Sequence, residues 1–383
     1  MLQRIRSLFK AERKFTRIDR PLLFTVLALA VFGSVMVISA GYAYAEFRYG
    51  DALYFTKRQI IWMLLGLFAM LISSRLPLET LKKYSIASYA LTLVLLILTL
   101  LVGLVGNGAQ RWISIGPITI QPSEIAKLTM VMALAYYFDQ NEEKACSLKP
   151  KISFVYGTLL PIVIMVVPIL LVMLQKHLSC IIILGTIGLI VIVLSGIKLR
   201  YIGAFVGAGV LGVSYIAFFT EYTKDRITVW QNPEAYKLTG GWQTLQGLMA
   251  IGSGGLFGKG LGMGELKHSY VSEPANDMIF SILCEELGLM GAAAAIFLFA
   301  VLVIRGYGIG LRSKDTYSRL LALGISTKVA IQTLLNIAVV TNTIPNTGIS
   351  LPFFSYGGSS LVMLFFEMGI LLSASRECKR NLL

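Results

Sequence analysis

Residues 221–277 read EYTKDRITVWQNPEAYKLTGGWQTLQGLMAIGSGGLFGKGLGMGELKHSYVSEPAND, and residues 278–291 continue as MIFSILCEELGLMG. The first run is a polar interval of about 57 residues, and the second is apolar. Every other polar interval in the chain is short enough to be a connector. Loops longer than roughly 12–15 residues in a compact protein are usually functional or disordered. Disorder does not suit this one, because it carries Trp230 and Trp242 with apolar residues between its glycines. It ends on an acid, Asp277, where the chain re-enters an apolar environment. An ionisable group at such a boundary is a functional-site candidate by default.

Outward from this interval, apolar runs cover residues 22–40, 60–74, 84–105, 121–138, 154–174, 179–196, 201–220, 278–304, 321–341 and 354–374. Most approach the ~20 residues that a helix needs to cross a bilayer. The second is short and extends outward through Lys57, Arg58 and Gln59, whose long side chains can snorkel. The composition agrees: 56% hydrophobic and 14% charged, against roughly 25% charged in soluble domains. The expected fold is an all-α polytopic membrane protein of about ten transmembrane helices, with a long extracytoplasmic loop between spans seven and eight. One domain over residues 1–383 is expected, with a basic tail at 1–20, the loop at 221–277 and a second tail at 375–383.

With the N-terminus in the cytoplasm, 22 of the 34 Lys and Arg fall on the cytoplasmic side and 10 outside, with Lys127 and Lys328 in the membrane. That bias favours both termini inside and the long loop outside. It also explains the net charge of +14 without nucleic acid. The AYA ending at Ala45 resembles a signal-peptidase site, but many spans follow it and cleavage is not expected. Four scattered cysteines without CxxC pairing suggest free thiols. His177 and His268 make no histidine-rich metal site.

The stretch GSGGLFGKGLGMG at 252–264 looks phosphate-binding at a glance and fails the template, since Lys259 is followed by Gly260 rather than Ser or Thr. It reads as a tightly turning re-entrant or surface loop, or as a backbone surface that a bulky substrate approaches closely. Within the spans the ionisable residues are Glu124, Lys127, Glu285, Glu286, Lys328 and Glu367. Glu124 and Lys127 share a helix face, either as a structural pair or as the floor of an outward cavity with Lys127 free to meet an anion. Asp277, Ser281, Cys284, Gly288 and Gly291 form a small-residue stripe suited to close packing or to lining a cavity. Of Glu285 and Glu286, one is expected to anchor the loop and the other to be buried against a neighbour. Lys328 and Glu367 read as a structural pair, too close to the cytoplasmic end to serve Asp277. NTIPNTGISLPFFSYGGSS at 342–360 reads as a rigid, non-helical cap on the loop's side.

Four pieces together resemble one family over essentially the whole chain: NGAQRWISIG…QPSEIAK at 107–127, AIGSGGLFGKGLG at 250–262, NDMIFSILCEELG at 276–288 and PNTGISLPFFSYGGSS at 345–360. The chain resembles the shape, elongation, division and sporulation (SEDS) proteins, the RodA/FtsW/SpoVE family. The His-Leu-Ser form at 177–179 is more like the division and sporulation branch. The resemblance implies a peptidoglycan glycosyltransferase that polymerises lipid II outside the membrane, with Asp277 as the essential acid. It places substrate-binding roles on Arg111, Gln121, Ser123, Glu124 and Lys127. It also implies a class B penicillin-binding protein transpeptidase and other divisome membrane proteins as partners, and a divalent cation (Mg or Mn) as a cofactor that the sequence does not itself show. The location implied is the bacterial cytoplasmic membrane. Two other functions compete: a lipid II flippase, disfavoured by the lack of internal repeats, and a scaffold for a penicillin-binding protein, which would have no need of Asp277.

Overall fold

The computed structural model describes residues 18–106, 109–116, 118–197, 203, 207, 221–267 and 273–380. Among them run α1 (Arg20–Tyr49), α2 (Tyr54–Arg75), α3 (Leu78–Val102), α4 (Pro122–Ala145), α5 (Pro150–Leu174), α6 (Leu178–Leu194), α7 (Glu221–Gln231), α8 (Trp242–Gly254), α9 (Ile279–Arg312), α10 (Thr316–Val340) and α11 (Gly358–Arg380). Seven of these, α1–α3, α5 and α9–α11, are long and apolar enough to cross a membrane, and α6 is a shorter apolar helix. α4 is 24 residues long and carries Glu124 and Lys127. The protein is all-α and polytopic. Nine of the ten expected runs fall in separate helices; the tenth, 201–220, lies outside the described residues except for Gly203 and Gly207.

Local chemistry sets the helix ends. Asp19 caps α1 by accepting from the Leu22 amide at 3.0 Å, and Pro21 occupies the first turn, where its missing N–H costs nothing. Gly50, at φ 66°, closes the helix. Asp315 caps α10 by accepting from the Ser318 amide at 3.0 Å. The Asp19 carboxylate also pairs with Arg305 of α9, and its amide donates to Ser375 Oγ of α11 at 3.1 Å. One end of the bundle is thereby tied together.

α4 is the buried axis: every residue from Ala126 to Ala135 is buried. A helix buried all round belongs at the centre of a bundle. α2 and α11 lie against each other closely, with Gly66 facing Phe365, Gly369 facing Ser73 and Met70, and Gly358 facing Trp62. Small residues at such crossings let backbones approach.

The long polar interval is largely helical. α8 runs beside the first turns of α9, with Gly247 against Met278 and Ser281, and Gly254 against the Cys284 carbonyl. α9 then breaks at Gly288, whose φ 64° and ψ −163° are non-helical. The expected small-residue stripe from Asp277 to Gly291 is therefore interrupted, because a glycine there releases the helix instead of extending it. The freed backbone groups pair with the glycine-rich loop. Leu289 and Met290 donate to the carbonyls of Gly255 and Leu256 at 2.9 and 3.1 Å, and Lys259 and Gly260 donate to those of Glu285 and Glu286 at 3.0 and 2.9 Å. A Cβ at Gly258, which sits at φ +78°, would collide with the Glu286 carbonyl. The glycines are there for backbone-to-backbone docking.

Both buried acids at this break anchor the loop, a departure from the expected division of labour. Glu285 accepts from Lys259 Nζ at 3.1 Å and from the amides of Glu265 and Leu266 at 2.9 and 3.3 Å. Glu286 accepts from Lys267 Nζ at 2.7 Å and from Ser39 Oγ of α1 at 2.6 Å. The two side chains point in different directions, and the loop wraps far enough to meet both.

Between α3 and α4 the chain forms a small antiparallel meander in the order β1 (Leu104–Gly106), β2 (Ala109–Ile115), β3 (Ile118–Ile120). Ile113 pairs with Ile120 and Ile115 with Ile118 across a turn at Gly116. The segment 341–357 is non-helical, as expected for a cap.

Candidate active site

One cavity of about 830 Å³ opens at the end of the bundle formed by the meander, α7, α8 and the 341–357 segment. Its wall includes Asp277, Arg111, Gln121, Glu124 and Lys127. Of the residues given a catalytic or substrate-binding role from sequence, Ser123 alone is missing from this wall. It is buried behind, and its carbonyl accepts from Cys180 Sγ at 4.0 Å.

Asp277 is half-buried, just before α9. Its backbone is fixed from below: Asn336 of α10, fully buried, donates from Nδ2 to the Asp277 carbonyl at 2.9 Å and to the Ile349 carbonyl at 2.6 Å. The neighbouring chain is fixed from the cap, where Ser355 Oγ donates to the Asn276 carbonyl at 2.7 Å and the Tyr356 amide to the Ala275 carbonyl at 2.8 Å. The carboxylate itself is held lightly. Gln243 Nε2 of α8 lies 3.5 Å from each of its oxygens, and Gln243 is in turn steadied by Asn346 Nδ2, which donates to its Oε1 at 3.2 Å. Burial pushes the Asp277 carboxyl up to about 6, and the Glu273 charge adds to the rise against the hydrogen bonds from the backbone and Gln243. Burial favours the neutral acid because a charge loses solvation there. A carboxyl titrating near 6 is poised to accept a proton around neutral pH.

Cationic groups lie elsewhere on the same wall. Arg111, on β2, donates from Nη2 to the Lys176 carbonyl at 2.6 Å, and its buried Nε has no protein partner. Arg58 sits with its guanidinium carbon 4.2 Å from the Tyr54 ring centroid. Arg226 donates from Nη1 to the Asn346 carbonyl at 2.6 Å. His177 also lines the cavity; burial, then the Arg111 and Lys127 charges, push its pKa down to about 3, so the imidazole is neutral.

Lys127 is not a free cation. Its Nζ lies 2.7 Å from Glu124 Oε1 and 3.3 Å from Gln332 Oε1, and the residue is 2% exposed. The other Glu124 oxygen is 3.9 Å from Lys328 Nζ, which lies 2.6 Å from Glu367 Oε1. Lys328 and Glu367 do touch, as expected, but they join the Glu124–Lys127 pair in one neutral group of four. The depth read from sequence was wrong for a simple reason. α10 begins at Thr316, before the apolar run at 321, which places Lys328 at mid-helix. A pocket of about 20 Å³ lies among Glu124, Lys328, Gln332 and Ser350, roughly the room one water needs.

Sequence reasoning did not find Gln243, Asn336 or Asn346. Asn336 had a usable signal, an amide one turn after Gln332 in the otherwise largely apolar run 329–340. Gln243 and Asn346 lie in polar segments where nothing marks them out.

These features define a polytopic membrane protein with a large polar cavity at one end, holding one lightly tethered acid and several arginines. The chain matches the Cell cycle protein family of FtsW, RodA and SpoVE over residues 20–380, and it belongs to that family. It is 35% identical over 373 residues to the "Probable peptidoglycan glycosyltransferase FtsW" of Geobacter sulfurreducens, covering 96% of this chain and 97% of that one. It is 37% identical over 372 residues to the stage V sporulation protein E of Bacillus subtilis, covering 95% and 98%. Among solved structures, the rod shape determining protein RodA of Thermus thermophilus superposes with a TM-score of 0.69 at 26% identity, over 94% of this chain and 97% of that one. A chain of a peptidoglycan synthase complex shares the fold with a TM-score of 0.78 at 24% identity, over 94% and 98%.

Proposed function

We propose that this chain is a peptidoglycan glycosyltransferase that polymerises lipid II, an undecaprenyl-diphosphate-linked disaccharide peptide, in cell division at the outer face of the cytoplasmic membrane. The observation that carries the reading is the sharing of one cavity by Asp277 and by Arg111, Arg58 and Arg226. The 4-hydroxyl oxygen of the acceptor sugar forms a bond to the anomeric carbon of the donor. The bond from that carbon to the diphosphate oxygen breaks, and polyprenyl diphosphate leaves with the electron pair. Asp277 takes the hydroxyl proton, as a positioned carboxylate can. Charge growing on the diphosphate is met by the arginines, which suit phosphate oxygens. Glu124 and Lys127, neutralised by each other, form the polar floor, and Gln121 stands at the wall above them.

Inversion at the anomeric carbon needs no second carboxylate as nucleophile, which suits one isolated acid. Among the described residues no group of three or more His, Cys, Asp or Glu could cage a metal. Among the described residues of its wall only Asp277 and Glu273 are acids outside an ion pair, a sparse donor set for a divalent cation.

The Lys and Arg bias supports both termini in the cytoplasm and the cavity outside. The family likeness supports a class B penicillin-binding protein transpeptidase as partner, with other divisome membrane proteins. The deciding experiment is polymerisation of lipid II by the purified chain in detergent, where no transport exists. Glycan strands in that assay support the reading. Their absence, together with lipid II translocation by the same preparation in vesicles, would make the chain a flippase.

A further inference from the structure

The end of α8 and the hairpin that follows it expose apolar side chains that no described part of the fold covers. Met249, Leu256, Phe257, Leu261 and Met263 are 52–79% exposed, and no charged residue lies between Lys237 and Lys259. Beside them on α9, Leu289 and Met290 are each 60% exposed, so the apolar surface continues directly onto a spanning helix.

Two helices fix the depth of this hairpin independently. α1 starts at Asp19, which pairs with Arg305 of α9. Twenty residues up α1 lies Ser39, and nineteen residues up α9 from Arg305 lies Glu286. These two meet at 2.6 Å. At about 1.5 Å per residue each path climbs about 30 Å, the thickness of the hydrocarbon core. Taken as its two faces, the Asp19–Arg305 level and the Ser39–Glu286 level lie one hydrocarbon thickness apart. The hairpin tip pairs with Leu289 and Met290, which lie up to four residues inside the second face, about 6 Å at the same rise. Irregular backbone is tolerated at that depth only when its polar groups are satisfied by protein. The four backbone hydrogen bonds at the Gly288 break do that. The lysines of the return stretch, Lys259 and Lys267, reach Glu285 and Glu286 at the face itself, and Glu265 between them lies 3.7 Å from Lys259.

We propose that residues 249–263 form a re-entrant hairpin whose tip is inserted among the acyl chains of the membrane leaflet on the Asp277 side. The occupant of its apolar surface is lipid. Continuity with the exposed apolar side of α9 and the depth reckoned from helical rise both call for it, and a binding protein is not needed to cover it.

The test uses the full chain in nanodiscs of phosphatidylethanolamine and phosphatidylglycerol, one protein per disc. Cys146, the one exposed thiol among the described residues, is removed as Cys146→Ser. A nitroxide is placed through Phe257→Cys or Met263→Cys, with Phe297→Cys on the spanning part of α9 and Leu238→Cys in the polar loop as references. Collision rates are then read with oxygen, which concentrates in lipid, and with a nickel chelate, which stays in water. The expected result is oxygen exceeding nickel at 257 and 297, and nickel exceeding oxygen at 238. Nickel dominance at 257 would overturn the proposal, and so would low rates with both reagents, which mean cover by protein. Phe257→Asp provides a second reading with the label at 263. A carboxylate is costly in hydrocarbon, so the substitution should swing the 263 signal from oxygen towards nickel; no change would also overturn the proposal.

Discussion

At the scale of single residues, Asp277 combines a fixed backbone with a loosely held carboxylate. Asn336 and the 341–357 cap set where it stands, while Gln243 touches it only at 3.5 Å. Asn in its place keeps the size and cannot accept the proton. Asp277→Asn should insert and fold normally yet lose about 10²–10⁴-fold in polymerisation, the usual worth of a general base. A turnover within about tenfold of the parent would remove Asp277 from that role. The raised pKa has two further consequences. A base must be ionised, so the parent's rate should fall as pH drops through about 6, and this limb should vanish from the variant's residual rate. An acid whose pKa is raised by folding contributes stability below its unfolded value that is lost as pH rises through its folded value. At pH 7.5 the parent therefore carries an unfavourable buried charge, and Asp277→Asn should melt at or above the parent's temperature. The position of Asp277 was legible from the sequence because polarity changes abruptly there. Its partners were not, since an amide that meets the chain 59 residues away, as Asn336 does, leaves no local pattern.

At the scale of elements, two junctions carry most of the specificity. The first joins α4, α10 and α11 through Glu124, Lys127, Lys328 and Glu367, two acids and two bases. Removing one member strands a buried charge, so Lys328→Met should cost about 3–5 kcal/mol in thermal unfolding, and adding Glu367→Leu should recover much of that. Simple additivity of the two losses would mean that they do not act as a pair. The second is the backbone exchange at Gly288. Gly258→Ala would place a Cβ against the Glu286 carbonyl at positive φ, a strain of about 1–3 kcal/mol, and should be read as faster tryptic cleavage after Lys259. The helices themselves were legible because hydrophobic runs of spanning length need no tertiary information. The Gly288 break was not, because glycine in an apolar run serves equally for close packing. The meander at 104–120 was likewise missed, although Ile113, Ile115, Ile118 and Ile120 alternate as strand residues do.

At the scale of the whole molecule, the levels marked by Asp19–Arg305 and Ser39–Glu286 make the fold its own ruler. Ser375 of α11 meets Asp19, and Glu367, eight residues above it, meets Lys328. Asn336, eight residues above Lys328, holds the Asp277 carbonyl, so Asp277 stands about 24 Å up this ruler, a little short of the second level. At that depth the acid is reached through the cavity, so a lipid-linked saccharide has to bring its reacting carbon into the cavity to meet it. Sidedness is expected from the Lys and Arg bias, and it is open to direct labelling. In intact cells a membrane-impermeant thiol reagent should label Leu238→Cys in a Cys146→Ser background and should leave Cys146 of the parent unlabelled. Labelling of Cys146 from outside would invert the arrangement.

The Gly288 clasp also has a consequence in time. The ribosome makes Gly255 and Leu256 some thirty-five residues before Leu289 and Met290, the residues whose amides they receive. At about 5–20 residues per second that interval is roughly 2–7 seconds. For those seconds the carbonyls of Gly255 and Leu256 lack these partners and must stay hydrated, because a bilayer offers none. The hairpin is therefore finished after the helix that follows it, and the acid at the cavity wall is set in place only when synthesis has already moved on.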